Sequence, residues 1–268
     1  GPGKLAVPPN IAGYIGSDTL GCVLATGMYR DEKMTLMIDI GTNGEMVLGN
    51  RDRMTACSTA AGPALEGGRI CCGMRGSDGA IDHVWLENGK AACSVIGNTK
   101  AQGICGSGII DAAAAMLDLG ILNKRGRIEK EYSGEGKDRR YSLTERVFLT
   151  QEDIREIQMA KGAIAAGIIL LAKQLGITLE EIDQVILCGA FGNYMKPESA
   201  CRIGLIPAEL QGKIKAGGNG AGMGSREMAL DREKLYLTDR LLKKIEFIEL
   251  ASIPEFQRVY ASNMMFHP

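Results

Sequence analysis

Four glycine-rich turns constrain this chain more than any other feature: Asp39 to Glu45, Gly103 to Gly108, Gly189 to Asn193 and Gly217 to Gly224. Each follows a strand-like or apolar segment. Glycine fills 36 of 268 positions, about 13% against a usual share of roughly 7%, and these turns hold much of the surplus. Turns of small residues expose successive backbone N–H groups, and a turn that opens a helix aims the helix's positive end at an anion. Phosphate is the commonest such anion. None of the four spells the P-loop pattern, and none gives the G-x-G-x-x-G of a Rossmann site with its acidic residue. Taken singly, each reads more readily as a structural turn than as a ligand cradle.

The elements around the turns predict an α/β layer fold. Thr35 to Ile40 and Glu45 to Leu48 read as two antiparallel strands around Gly41-Thr42-Asn43-Gly44, with a third strand at Arg53 to Ala60. A second hairpin is expected over Ile81 to Ile96, turning at Asn88-Gly89. A helix opens after Gly103 to Gly108 and stops at Gly120. Lys124 to Tyr141, polar and charged, reads as an exposed loop. The clearest helix is capped by Thr150 and stopped by Gly176. Its apolar stripe runs Ile154, Ile157, Ile164, Ile168, Leu171 and Leu175, and Lys161 interrupts it. That lysine either packs its stem and sends its amine to the surface or faces a ligand cleft. Gln184 to Cys188 is a buried strand, Pro197 opens a helix that Gly204 ends, and strand and helix alternate to the tail.

Charge removes several function classes. With 31 Lys+Arg against 32 Asp+Glu, no basic surplus points to nucleic acid or to an anionic membrane surface. No apolar run approaches a bilayer span. The eight cysteines contain no CxxC pair and no cluster spacing, and with two histidines a zinc site is not expected. Free thiols fit a reducing cytoplasm. Gly1-Pro2-Gly3 reads as a protease scar, which implies a piece of a longer protein.

Asp39 stands out among the turn residues. A carboxylate at a strand end can hold Mg²⁺ through water, Gly41 and Gly44 admit phosphates, and Thr42 and Asn43 can donate hydrogen bonds. An Asx cap on its own hairpin is the structural alternative. Glu66 can position water or Mg²⁺, or can simply be a solvated carboxylate at a helix start. Cys105 is a redox candidate only if its turn does more than pack.

The segment Asp39-Ile40-Gly41-Thr42-Asn43-Gly44-Glu45 resembles a phosphate motif of the superfamily of acetate and sugar kinases, heat-shock chaperones and actin. In that superfamily two ribonuclease-H-like lobes clamp ATP. Together with Ala60-Ala61-Gly62-Pro63-Ala64-Leu65-Glu66-Gly67-Gly68, Gly103 to Asp111 and Leu187 to Tyr194, it is similar to the ATP-dependent reductive activators of corrinoid proteins. The resemblance implies a ribonuclease-H-like mixed α/β sheet with flanking helices, forming one lobe of an actin-like ATPase fold over residues 35–268. Residues 1–34 would be the scar and a linking segment. It further implies ATP with Mg²⁺, and a [2Fe-2S] cluster in an amino-terminal domain outside this chain. Asp39 would hold the metal, with Glu66 as its catalytic companion. The nucleotide would meet Gly41, Thr42, Asn43, Gly44, Gly106, Ser107, Gly108, Gly189, Ala190, Phe191, Gly192 and Asn193, with Lys161 and, more weakly, Gln158 near the adenosine.

On that resemblance the full-length protein reduces Co(II) to Co(I) in a corrinoid protein, taking electrons from a donor through the ferredoxin-like domain; a homodimer is allowed. The chain alone would bind ATP weakly and hydrolyse it near background. Two alternatives stand beside this expectation: a small-molecule kinase of the same superfamily, and a non-enzymatic docking module for a corrinoid protein.

Overall fold

A computed structural model describes residues 6–129 and 139–266, apart from the side chains of residues 190 and 191. Its centre is a six-stranded mixed sheet. Strands β1 (Thr35–Ile40), β2 (Gly44–Gly49) and β3 (Met54–Thr59) are antiparallel neighbours. On the other side of β1 lie β9 (Gln184–Cys188) and then β10 (Ile214–Gly218), both parallel to it, and β11 (Ile245–Phe247) closes the far edge beside β3. Three antiparallel strands extended by two parallel to the first form the ribonuclease-H-like sheet that the resemblance implies.

Two helix layers cover this sheet because the strands alternate. Leu36, Ile38, Ile40, Met46 and Leu48 face one core, shared with α2 (Gly106–Asp118) and α3 (Gln151–Leu175). Met37, Val47, Met54, Ala56 and Cys188 face the other, shared with α1 (Ser17–Thr26), α6 (Gly220–Leu230) and α7 (Arg232–Leu242). Full burial of each large apolar side chain stabilises by about 1.5–3 kcal/mol, so both layers belong to one cooperative fold. The short helices α4 (Gly189–Gly192) and α5 (Pro197–Arg202) follow β9, and α8 (Phe256–Met264) packs on α3.

A smaller sheet joins β4 (Ala80–Glu87), β5 (Lys90–Val95) and β6 (Gly103–Ile104). Asn88 and Gly89 have φ of 49° and 74°, the primed turn expected for Asn-Gly. Strands β7 (Arg140–Ser142) and β8 (Phe148–Thr150) form a two-stranded ribbon ahead of α3. Thr150 and Asp153 make a reciprocal capping box, and Gly176 stops α3 at φ 69°, as the sequence predicts.

Residues 17–26, expected within a linking segment, are instead an integral helix. Leu20, Cys22, Val23 and Leu24 of α1 are buried in the second core. A β-carbon at Gly224 would lie 2.0 Å from the Gly21 carbonyl oxygen, so α1 and α6 touch backbone to backbone, and only glycine permits that approach. Part of the expected Lys124 to Tyr141 loop lies outside the described residues; of the rest, Ile128 and Arg139 are buried rather than exposed.

Candidate functional site

The parallel strands β1, β9 and β10 end together, so the turns that follow them share one edge of the sheet. Ligands of such sheets bind outside the carboxyl ends of the strands. Asp39 pairs in register with Cys188, which places Asp39 against Gly189. A β-carbon at residue 189 would stand 2.7 Å from Asp39 Oδ1, and Gly189 has φ +83°. Both conditions require glycine there. Next along the edge, β10 meets β9 with Gly218 opposite Cys188, and Asn219 caps α6 by accepting from the Gly222 N–H at 2.9 Å.

The first turn is built by a tight hairpin and a visiting segment. The Gly41 N–H donates to the Asn43 carbonyl at 2.8 Å, and the Gly62 N–H donates to the Thr42 carbonyl at 2.8 Å. The second bond brings the 310 turn Pro63–Glu66 to the hairpin, where the Thr42 hydroxyl donates to Glu66 Oε1 at 2.9 Å. Thr42, Asn43 and Glu66 are exposed. Gly44 is buried and serves packing, since a β-carbon there would meet Thr59 Oγ1 at 2.8 Å.

Three carboxyl groups gather around this edge. Burial pushes the Asp39 carboxyl above its ordinary value, opposed by a hydrogen bond from the Cys22 thiol at 3.5 Å and reinforced by the charge of Asp18. Burial likewise raises Glu45, which lies opposite Asp39 across the hairpin and also feels the charges of Asp39 and Asp18. The Cys22 thiol itself is driven far up, by its hydrogen bond with Cys188, by burial and by the charge of Cys188 and Asp39. It stays protonated and donates to Asp39. Among the described residues no group of three His, Cys, Asp or Glu side chains is placed to hold a metal ion. A partly desolvated carboxylate edge of this kind suits Mg²⁺, which takes one or two protein carboxylates and fills its octahedron with water and phosphate oxygens.

The chain's similarity to known proteins agrees with this geometry. The family model for the C-terminal domain of RACo, the ASKHA domain, matches residues 33–268. The chain belongs to this family. The chain is 39% identical to the corrinoid activation enzyme RamQ of Eubacterium limosum, over 98% of its own length and 48% of that protein. It is 31% identical to a [Co(II) methylated amine-specific corrinoid protein] reductase of Methanosarcina barkeri, over 98% of this chain and 52% of that protein. Among solved structures, a reductive activator for corrinoid, iron-sulfur protein superposes with a TM-score of 0.88 at 36% identity, covering 97% of this chain and 44% of that one. The ASKHA domain therefore spans about half the length of the curated relatives it matches.

Within the ASKHA domain the structure gathers some of the expected site residues and disperses others. Asp39, Gly41, Thr42, Asn43, Glu66 and Gly189 meet at one edge, with Gly192 and the exposed Asn193 just beyond. Ala190 lies within α4 beside them, as does the residue after it. Gly106, Ser107 and Gly108 are buried in the first core. A β-carbon at Gly108 would lie 2.3 Å from the Ile81 carbonyl oxygen, so this turn seats α2 on β4 and is not an open phosphate cradle.

Lys161 departs furthest from the expectation of an adenosine contact. It is fully buried, its ammonium donates to the Asn263 and Met265 carbonyls, the latter at 2.7 Å, and it sits over the Phe266 ring. Neither solvent nor a cleft reaches it, because the carboxy-terminal segment covers the stripe that it interrupts. Gln158 is likewise buried and donates to the Arg125 and Met264 carbonyls. Cys105 lies buried beside Ser107. Asp18 and Cys22 belong to the edge without any local sequence signal, brought in by the packing of α1 on β1, while Glu45, the last residue of the Asp39 motif, is set opposite Asp39 by the hairpin register.

Proposed function

We propose that this domain binds ATP with Mg²⁺ at the edge shared by the Asp39, Gly189 and Gly218 turns. In the full-length protein, nucleotide binding and hydrolysis are coupled to reduction of Co(II) to Co(I) in a corrinoid protein. The observation that carries the reading is the convergence of Asp39 with Gly189, two sequence-distant motifs that adjacent parallel strands bring to one point. The names of the relatives, a corrinoid activation enzyme and a Co(II) corrinoid protein reductase, supply the substrate class.

In this account the backbone N–H groups of residues 42 and 43 and the exposed Asn43 side chain receive phosphate oxygens, Gly189 lets α4 approach the nucleotide, and Asp39 holds the metal side. Bound Mg²⁺ would neutralise charge on the phosphates and draw Asp39 and Glu45 to their ionised forms. Glu66, oriented by the Thr42 hydroxyl, stands where a carboxylate can accept a proton from attacking water. A nucleotide that binds open and closed arrangements unequally shifts their populations by its differential affinity, which is how a soluble ATP site can drive an uphill reduction in a partner. The [2Fe-2S] cluster and its electron donor belong, on this reading, to the part of the protein outside this chain. A cytoplasmic setting fits such chemistry; no described helix is long and apolar enough to cross a membrane.

The reading is tested with full-length protein, a corrinoid protein held as Co(II) and a mild reductant, following the cobalt spectrum. Appearance of Co(I) only when Mg·ATP is added is the expected result. Phosphoryl transfer to a small molecule with no effect on cobalt would assign the protein to the kinases instead.

A further inference from the structure

A second charged feature lies outside the Asp39 edge. Arg125, Arg127, Arg139 and Arg155 line one groove, together with Gly126, Gln151 and Gln158. The arginines come from three separate segments: a turn after β6 and α2, the strand entry before β7, and the first half of α3. For a chain with a formal charge of −1, such a gathering of like charge is a local anomaly. Among the described residues no carboxylate forms an ion pair with any of the four. The nearest acid on the turn, Glu129, accepts instead from the Asn123 side chain at 2.7 Å.

The groove is built rather than incidental. Asn123 Oδ1 accepts from the Arg125 and Arg127 N–H groups, both at 3.0 Å, which fixes the turn that carries those two side chains. From below, Gln151 donates to the Gly126 carbonyl and accepts from the Ile128 N–H, while Gln158 donates to the Arg125 carbonyl. Gly126 has φ +78°, and a β-carbon there would come within 2.3 Å of Gln158, so only glycine lets the turn settle on the glutamine amides. Arg139 is 5% exposed, and its Nη1 donates to the Ile128 carbonyl at 2.7 Å, which holds one guanidinium in place at the floor. Arg125, Arg127 and Arg155 are exposed around it.

We infer that this groove binds a small organic anion carrying at least two phosphoryl or carboxylate groups. Planar guanidinium groups match such oxygens bidentately, and four arginines lining one groove offer several such donors to a single ligand. The groove offers about 370 Å³, within the roughly 300–1,000 Å³ of small-molecule sites. A buried, fixed guanidinium at the floor and exposed arginines at the rim suit a compact ligand that enters from solvent. It shares no residue with the Asp39 edge, so its occupant is a second ligand and not the nucleotide proposed there.

The test is a calorimetric titration of the chain with inorganic pyrophosphate at low ionic strength. The wild type is compared with Arg125→Gln/Arg155→Gln, whose exposed positions leave the fold intact by circular dichroism, and with Arg226→Gln/Arg240→Gln, which removes the same charge elsewhere. One binding event in the wild type, weakened about tenfold by the loss of two charge-assisted contacts in the groove variant and kept in the charge control, is the expected result. No binding to the wild type, equal affinity in the groove variant, or equal loss in the control overturns the inference. Binding of a deca-glutamate peptide without binding of pyrophosphate overturns it too, in favour of an acidic protein partner.

Discussion

Asp39 Oδ1 stands 2.7 Å from the point where a side chain at Gly189 would begin. The contact follows from strand pairing, since β1 and β9 run parallel with Asp39 opposite Cys188, and from the left-handed φ of +83° at residue 189. It joins motifs 150 residues apart in the chain, with Asp39 ending one strand and Gly189 leaving its neighbour.

Replacing Gly189 should cost stability for two separable reasons. Gly189→Ala places an L-residue at positive φ, a strain on the order of 1–2 kcal/mol, and sets a methyl group on Asp39. Gly212→Ala, where a β-carbon meets nothing within 4 Å, should be neutral within about 0.5 kcal/mol. Urea unfolding of the two variants beside the wild type measures the contrast; equal stability would contradict the geometry.

Acid should act on the Asp39 edge with a defined sign. Folding raises Asp39 and Glu45 above their ordinary 3.8 and 4.5, so the folded chain holds more protons than the unfolded one across that window. The stabilisation from this pair is full below the ordinary values and is lost as pH rises through the raised ones. Asp39→Asn with Glu45→Gln should flatten that decline in unfolding free energy, measured from about pH 4 to pH 7. Added Mg²⁺ should oppose the decline in the wild type only.

Lys161 should matter to stability and not to nucleotide. Burial lowers its pKa to about 8 from 10.5, so its linked contribution is full above the unfolded value and is lost as pH falls through about 8. Lys161→Met keeps the stem's packing but leaves the Asn263 and Met265 carbonyls without their donor, a loss of about 1–3 kcal/mol for each buried group left unsatisfied. Hydrogen exchange should quicken over residues 263–266, with ATP affinity of the full-length protein unchanged.

The crossing of α1 and α6 should be intolerant of any side chain. Gly224→Ala drives a methyl group into the Gly21 carbonyl at 2.0 Å, and overpacking of this kind costs about 1–3 kcal/mol. Because α1 carries Cys22 to Asp39, the same variant should move the pH response of the edge. A thermal midpoint within a degree of the wild type would refute the packing.

Much of this arrangement was legible from local signals. Capping at Thr150 and Gly176, the Asn88-Gly89 turn and the short, mostly apolar run of Thr35 to Ile40 entering Gly41-Thr42-Asn43-Gly44 are set by neighbours in sequence, and each predicts its element. What stayed hidden depends on partners far along the chain. The α1 helix is short, opens without a side-chain cap and is specified by its burial against α6. Gly106 to Gly108 looks like a cradle until β4 is placed against it, and Lys161 looks like a ligand contact until residues 263–266 cover it. Asp18 and Cys22 reach the site through the tertiary packing of α1, which no spacing rule encodes.

The central claim is that the Asp39 and Gly189 turns form one nucleotide site, and calorimetric titration of full-length protein with Mg·ATP tests it most directly. Asp39→Asn and Gly189→Ala should each weaken binding about tenfold or more, and their combination should weaken it by less than the product, because the two residues touch. Wild-type affinity in both single variants, with folding intact, would contradict the account.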